Sequence, residues 1–89
     1  MPSAHRLNDP DDAGAAITSI AQGTVFINNQ LASINGSQVA GHGLGEHSSP
    51  KTANGSGTVF IANTPVNRQG DADTCGHARA SGSGNVFVG

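Results

Sequence analysis

Residues 57–77 read G-T-V-F-I-A-N-T-P-V-N-R-Q-G-D-A-D-T-C-G-H, and parts of this stretch recur on both sides of it. Residues 23–27 spell the same G-T-V-F-I, 34 positions earlier, and residues 84–88 spell G-N-V-F-V, 27 positions later. Repetition at such periods marks a repeat architecture, in which each unit buries its apolar side only against its neighbours. The three phenylalanines, Phe26, Phe60 and Phe87, fall one to a copy, each between two β-branched residues, and that is strand chemistry.

Each copy has the same grammar. The β-formers at 24–27 show no alternation of polarity, which predicts a strand covered on both faces. Asn28 and Asn29 tolerate the positive φ of a two-residue hairpin, so the chain is expected to return along residues 31–34. In the second copy Ala62-Asn63 is the turn and Pro65-Val66-Asn67-Arg68 the returning strand, with Pro65 at its start, where a missing N–H is tolerated. The third copy stops at Gly89, after its first strand. Upstream, residues 1–12 are polar and turn-rich, and no regular element is expected there. Residues 13–20 have a helix-like Ile17/Ile20 spacing but are short and interrupted by Gly14, so their second half is read as a strand. One domain is expected over 1–89, with repeat cores near 23–36, 57–70 and 84–89. The connecting loops, 37–56 and 71–83, hold short β-like pieces at 38–40 and 50–53 and are expected to build no core of their own.

Composition says that such a chain needs help. At 89 residues, with 35% hydrophobic and 3% aromatic content and no Trp or Tyr, it buries only a little over ~60% of its unfolded surface. Cys75 is the single cysteine, so an intrachain disulfide is excluded, and a metal or a partner remains as the staple. The four basic residues, Arg6, Lys51, Arg68 and Arg79, are scattered in a chain of net charge −2, and no nucleic-acid partner is expected. The N-terminus has no leader-like apolar run and no stretch reaches the ~18 apolar residues of a membrane span. The expectation is a protein made in the cytoplasm, with any export dependent on a larger assembly.

The loops hold the ligand chemistry. His42, His47, Cys75 and His77 supply three imidazoles and a thiolate, a borderline-soft set that suits one tetrahedral zinc ion. Aligning the copies at G-T-V-F-I sets Gly36 against Gly70 and, after a one-residue slip, His42 against His77, so the two loops are expected to meet. Gly41, Gly43, Gly45 and Gly76 give them freedom to converge. His5 falls in a segment matching the returning strand, in register with Asn67, and is expected to lie away from the ion. C-x-H is less specific than a doubled C-x-x-C, and exposed loop histidines with Cys75 as a small buried hydrophobe is the competing reading. H-G-L-G-E-H is not H-E-x-x-H, and neither a G-x-S-x-G elbow nor a phosphate-binding loop is present. Four protein ligands leave no open position, so the zinc is expected to be structural, with no enzymatic activity and no small-molecule substrate. The alternatives are a small zinc-dependent hydrolase, which would require a released ligand, and a free-standing zinc-binding module.

These residues resemble the PAAR-repeat family, which tips the spikes of contractile injection machines such as phage tails and type VI secretion systems. Pro65-Val66-Asn67-Arg68 is the cognate of the family's Pro-Ala-Ala-Arg run, and Gln69-Gly70-Asp71 follows it as the family's Gly-Asp continuation does. Residues 55–65, G-S-G-T-V-F-I-A-N-T-P, keep most of the preceding strand and turn, and residues 83–89 keep its beginning. The chain departs from the family at 31–34, where L-A-S-I replaces the motif, and at 3–6, where S-A-H-R is a loose match. It departs again after Asn8-Asp9, where Ala13 stands in place of a family histidine. The resemblance implies an all-β fold: a small conical domain of β-hairpins with pseudo-threefold symmetry and a zinc near the apex. It further implies that a flat base sits on a trimeric β-helical spike, one copy per trimer, with transient contact to a target-cell membrane and delivery across the target envelope. Because the repeats occupy all 89 residues, a plain tip without an appended effector is expected.

Overall fold

Two tight hairpins form where the repeated sequence places them. The computed structural model describes every residue except Met1, Ala21, His42 and Leu44. Its strands are β1 (Ile17–Ser19), β2 (Phe26–Ile27), β3 (Gln30–Leu31), β4 (Gln38–Val39), β5 (Phe60–Ile61) and β6 (Thr64–Pro65), with one 3-10 turn at Gly45–His47. β2 pairs antiparallel with β3, and β5 with β6, across two-residue turns. Both turn residues have positive φ, 53° and 67° at Asn28 and Asn29 and 51° and 63° at Ala62 and Asn63, the geometry whose twist matches that of paired strands. Pro65 faces Phe60, one position beyond the hydrogen-bonded pair beside the turn, so its missing donor leaves no gap in the ladder. The chain is thus all-β, small and nearly free of helix, with a radius of gyration of 11.5 Å, close to the ~12 Å of a compact domain of this length.

The third hairpin is completed by the other end of the chain. Ser3 bridges Phe87, Val88 N–H donates to Pro2 O at 2.8 Å, and Ala4 N–H donates to Val86 O at 2.9 Å. That last bond has the same place as Ala32 to Val25 (3.0 Å) and Val66 to Val59 (3.1 Å) in the other two hairpins. The segment at 2–6 is therefore a returning segment, the role its match to residues 65–68 suggests, although its polar, turn-rich composition predicts no regular element.

The returning segments then bond one another in a closed ring. His5 N–H donates to Asn67 O (3.1 Å), Asn67 N–H to Ser33 O (2.9 Å) and Ser33 N–H to His5 O (2.9 Å). His5 is thus in the Asn67 register that the sequence suggests. Each segment ends in a turn closed from Asp9 to Arg6, Ser37 to Ile34 and Asp71 to Arg68. The third residue of each turn has positive φ, 75° at Asn8, 87° at Gly36 and 92° at Gly70, as a type II turn requires. Ala4, Ile34, Val66 and Val88 make the buried cluster at this level, with Ile20, Ile27 and Ile61 packed against it.

A second ring lies beyond the turns. Residues 9–17 and 71–79 fold as matching hairpins with three-residue loops: Asp11 N–H donates to Ala15 O as Asp73 N–H does to His77 O, and Gly14 and Gly76 take φ of 84° and 90°. Val39 N–H donating to Pro50 O (2.9 Å) is the third such closure, around a loop enlarged by seven residues. Antiparallel bridges Asp11 to Arg79, Ile17 to Val39 and Thr52 to Asp73 join the three hairpins cyclically.

Two expectations are corrected here. The connecting loops do not stand wholly outside the core: Val39 joins Ala15 and Ile17 of the upstream segment in a second buried cluster, because the loop segment at 38–39 pairs with β1. The V-F-I strands are not covered on both faces, since Phe26 is 59% exposed, Phe60 52% and Phe87 49%. β2 and β5 are two residues long at hairpin tips and Phe87 makes a single bridge, and among the described residues no second layer covers these side chains.

Candidate metal centre

The loop hairpin at 71–79 puts Cys75 at its tip and His77 on its returning arm. Gly76 between them adopts the positive φ that closes a three-residue loop. His47 arrives from the enlarged second loop, at the end of the Gly45–His47 turn. The neck of that loop is narrow: a Cβ built on Gly41 would stand 2.5 Å from the Ser48 carbonyl oxygen, a contact only glycine permits.

Ligand atoms of His47, Cys75 and His77 lie within 4.8 Å of one another. A tetrahedral zinc with N and S ligands at roughly 2.0 and 2.3 Å needs edges of about 3.5 Å, so a small closure would complete the set. The imidazoles stand with centroids 5.3 Å apart, tilted by 51°, and Cys75 is buried while both rings are partly accessible. The donor set fits a metal ion. His42 lies outside the described residues.

Asp11, Asp73 and Cys75 form a second close group, fully buried. A cation already stands there. Arg79, itself buried, reaches Asp73 Oδ2 at 2.6 Å and Asp11 Oδ2 at 3.3 Å. Burial pushes the Asp73 carboxyl up to about 6, with Arg79 pulling the other way. For Asp11 burial also works upward, but it is outweighed by the Ala15 amide, a hydrogen bond with Asp73, the Ala13 amide and Arg79, which hold its carboxyl below the usual range. Two carboxylates sharing one cation separate in this way.

His5 belongs to neither ligand group. It is fully buried in the ring of returning segments, its Nε2 3.2 Å from Pro10 O. Burial, then the nearby Arg79 charge, lowers its pKa from 6.5 to about 4.

The one-residue slip that aligns His42 with His77 is corrected by the hydrogen bonds. Val39 N–H donates to Pro50 O where Asp73 N–H donates to His77 O, so Pro50 is the counterpart of His77, and both His42 and His47 sit in an insertion. The counterparts of Cys75 and His77 in the first loop are Ala13 and Ala15. Sequence reasoning passed over Asp11, Asp12, Asp73 and Arg79. One signal was present, since residues 9–16 and 71–78 share D-x-D-x-x-G-x-A at an offset of 62.

Neither the protein-family models nor the curated proteins contain a match to this chain.

Proposed function

We propose that this chain is a spike tip of the PAAR-repeat kind, capping the trimeric β-helical shaft of a contractile injection machine with one copy per trimer. One observation carries the reading: Val25 and Phe26, Val59 and Phe60, and Val86 and Phe87 are exposed at corresponding positions of three hairpins. Six large apolar side chains in a chain this short are a surface awaiting a partner. The recurring hydrogen bonds of the two rings support pseudo-threefold symmetry, and a single chain with three similar edges can meet three identical chain ends. Edge strands of the shaft would be covered in the same step.

In this reading the far end of a cone holds one structural zinc on His47, Cys75 and His77, with His42 from the same insertion as the fourth ligand. A closed shell supplies cross-linking and no reactive position. The tip is made in the cytoplasm, joins the virion tail or secretion spike, and is carried with it across the target envelope.

Co-expression with a trimeric β-helical shaft and native mass measurement tests this. A complex of one tip to three shaft chains is expected, lost when Phe26, Phe60 and Phe87 are all changed to Ser. A folded wild-type tip that ignores every such shaft, or a triple variant that still binds, would overturn it.

A further inference from the structure

The sequence assigns ligands to the candidate zinc site but says nothing of what aims them. The His77 ring carries a carboxylate. Its Nδ1 lies 2.7 Å from Asp12 Oδ1, across 65 residues of chain. We infer that Asp12 is a positioning residue for the metal centre, fixing the His77 ring so that Nδ1–H donates to the carboxylate and Nε2 is turned to the ion. This rests on the zinc reading above and adds to it a residue that no ligand spacing reveals.

Three observations bring it about. Asp11 bridges Arg79, and Asp12 N–H donates to Ala78 O at 2.8 Å, so the backbone register sets Asp12 beside His77 whether or not an ion is bound. The imidazole has two nitrogens, and a neutral ring carries a proton on one and a lone pair on the other. A carboxylate on one nitrogen therefore selects the tautomer whose other nitrogen can ligate, and it raises the basicity of that nitrogen. The Asp12 side chain is 55% exposed and, among the described residues, its side-chain hydrogen bond is to His77, so its removal leaves the buried Asp11, Asp73 and Arg79 network in place.

The two matching hairpins differ at this position. Thr74 occupies the position of Asp12 in the matching hairpin, and its Oγ1 accepts from Lys51 N–H at 3.1 Å. The same register slot is a backbone fastener in one loop and faces a ligand ring in the other.

Zinc affinity, measured by competition with a chromophoric chelator on the full chain, is expected to fall about 10-fold in Asp12→Ala, the lower end of the range for such second partners because the pair is partly exposed. Asp12→Asn, which can still accept from Nδ1–H, should recover part of that loss. Long-range proton–nitrogen correlation on the zinc-loaded protein should find the His77 proton on Nδ1, and the shift of that nitrogen should move in Asp12→Ala. If wild type binds zinc and both variants bind it equally, or if His77 ligates through Nδ1, the role of Asp12 is overturned and the zinc reading stands. If wild type binds no zinc, both fall together.

Discussion

The ring of returning segments and the ring of loop hairpins use the same backbone pattern with different side chains. In the first, small aliphatics, Ala4, Ile34 and Val66, point to one cluster, and a side-chain acceptor heads each hairpin: Gln22, Ser56 and Ser83 accept from the amides of Val25, Val59 and Val86 at 2.9 Å in each case. In the second, the three bridges are unlike one another: aliphatic at Ile17 with Val39, charged at Asp11 with Arg79, mixed at Thr52 with Asp73. Backbone bonding is indifferent to side-chain identity once φ and ψ are met, so the pattern can be kept while the side chains are exchanged. The first ring varies in its other side chains, His5, Ser33 and Asn67 among them, but it surrounds one shared aliphatic centre. The second is free to hold charge and ligands, and it depends on them, since aliphatic packing there is confined to one of its three bridges.

The largest break in that comparison should come from Arg79. Arg79→Met strands two buried carboxylates, and removing one partner of a buried ionic group costs about 3–5 kcal/mol, a large share of the roughly 5–15 kcal/mol that holds a domain together. Urea unfolding should show it, with hydrogen exchange rising at 11–17 and 71–79 before it rises at 26–31 and 60–65. A variant as stable as wild type would mean the charged network contributes nothing. Stripping the proposed zinc should act on the same ring. Loss of an ion held at 1,000 times its dissociation constant removes about 4 kcal/mol, and faster exchange confined to the loop hairpins is the expected signature, whereas uniform loosening of both rings would erase the distinction between them.

Acid should separate the rings by sign. His5, in the first ring, is held down at about 4 by burial and then by Arg79. Between pH 6.5 and about 4 the unfolded chain binds a proton the folded chain refuses, so its contribution to stability falls as pH falls, by on the order of 3 kcal/mol over the window. Asp73, in the second ring, is raised to about 6, so from pH 6 down toward 3.8 the folded chain binds the proton first and gains stability. Changing His5 to Asn, the residue at the matching position 67, removes the first dependence and leaves the second. Denaturant melts of zinc-free protein at pH 7, 5 and 4 should therefore change little in wild type, where the two dependences oppose each other, and rise toward acid in His5→Asn; identical slopes would exclude His5 as the titrating group. The smallest effect belongs to the hairpin turn at Ala62, whose φ of 51° is costly for a residue with a Cβ. Ala62→Gly should raise stability by roughly 0.5–1 kcal/mol, read as a rise of a few degrees in Tm, while a fall would show the turn is not strained.

The hairpins were legible in the sequence because their signals are local. Asn28-Asn29 and Ala62-Asn63 lie between β-formers, and Gly36 and Gly70 mark the turns that follow. Much of the second ring was not legible. Its side chains do not repeat, a seven-residue insertion hides the match between loops, and the D-x-D-x-x-G-x-A pair is built from residues common in any turn. His47, Cys75 and His77 could be named as ligands from their chemistry, but Asp12 could not, because nothing near it in the chain refers to His77.

By itself, then, the sequence determined where the chain turns, which residues pair across each tight hairpin, and which side chains can ligate a metal. Each of these depends on the φ preference or donor atoms of a few adjacent residues. Only the tertiary structure decided that residues 2–6 complete the hairpin begun at 86–88, that Arg79 joins Asp11 and Asp73 in the interior, and that Asp12 meets His77. Apart from Arg79 with Asp73, those contacts join segments 60 or more residues apart through backbone bonds and desolvated charge, and the closing of the chain on itself sets the register that brings them together.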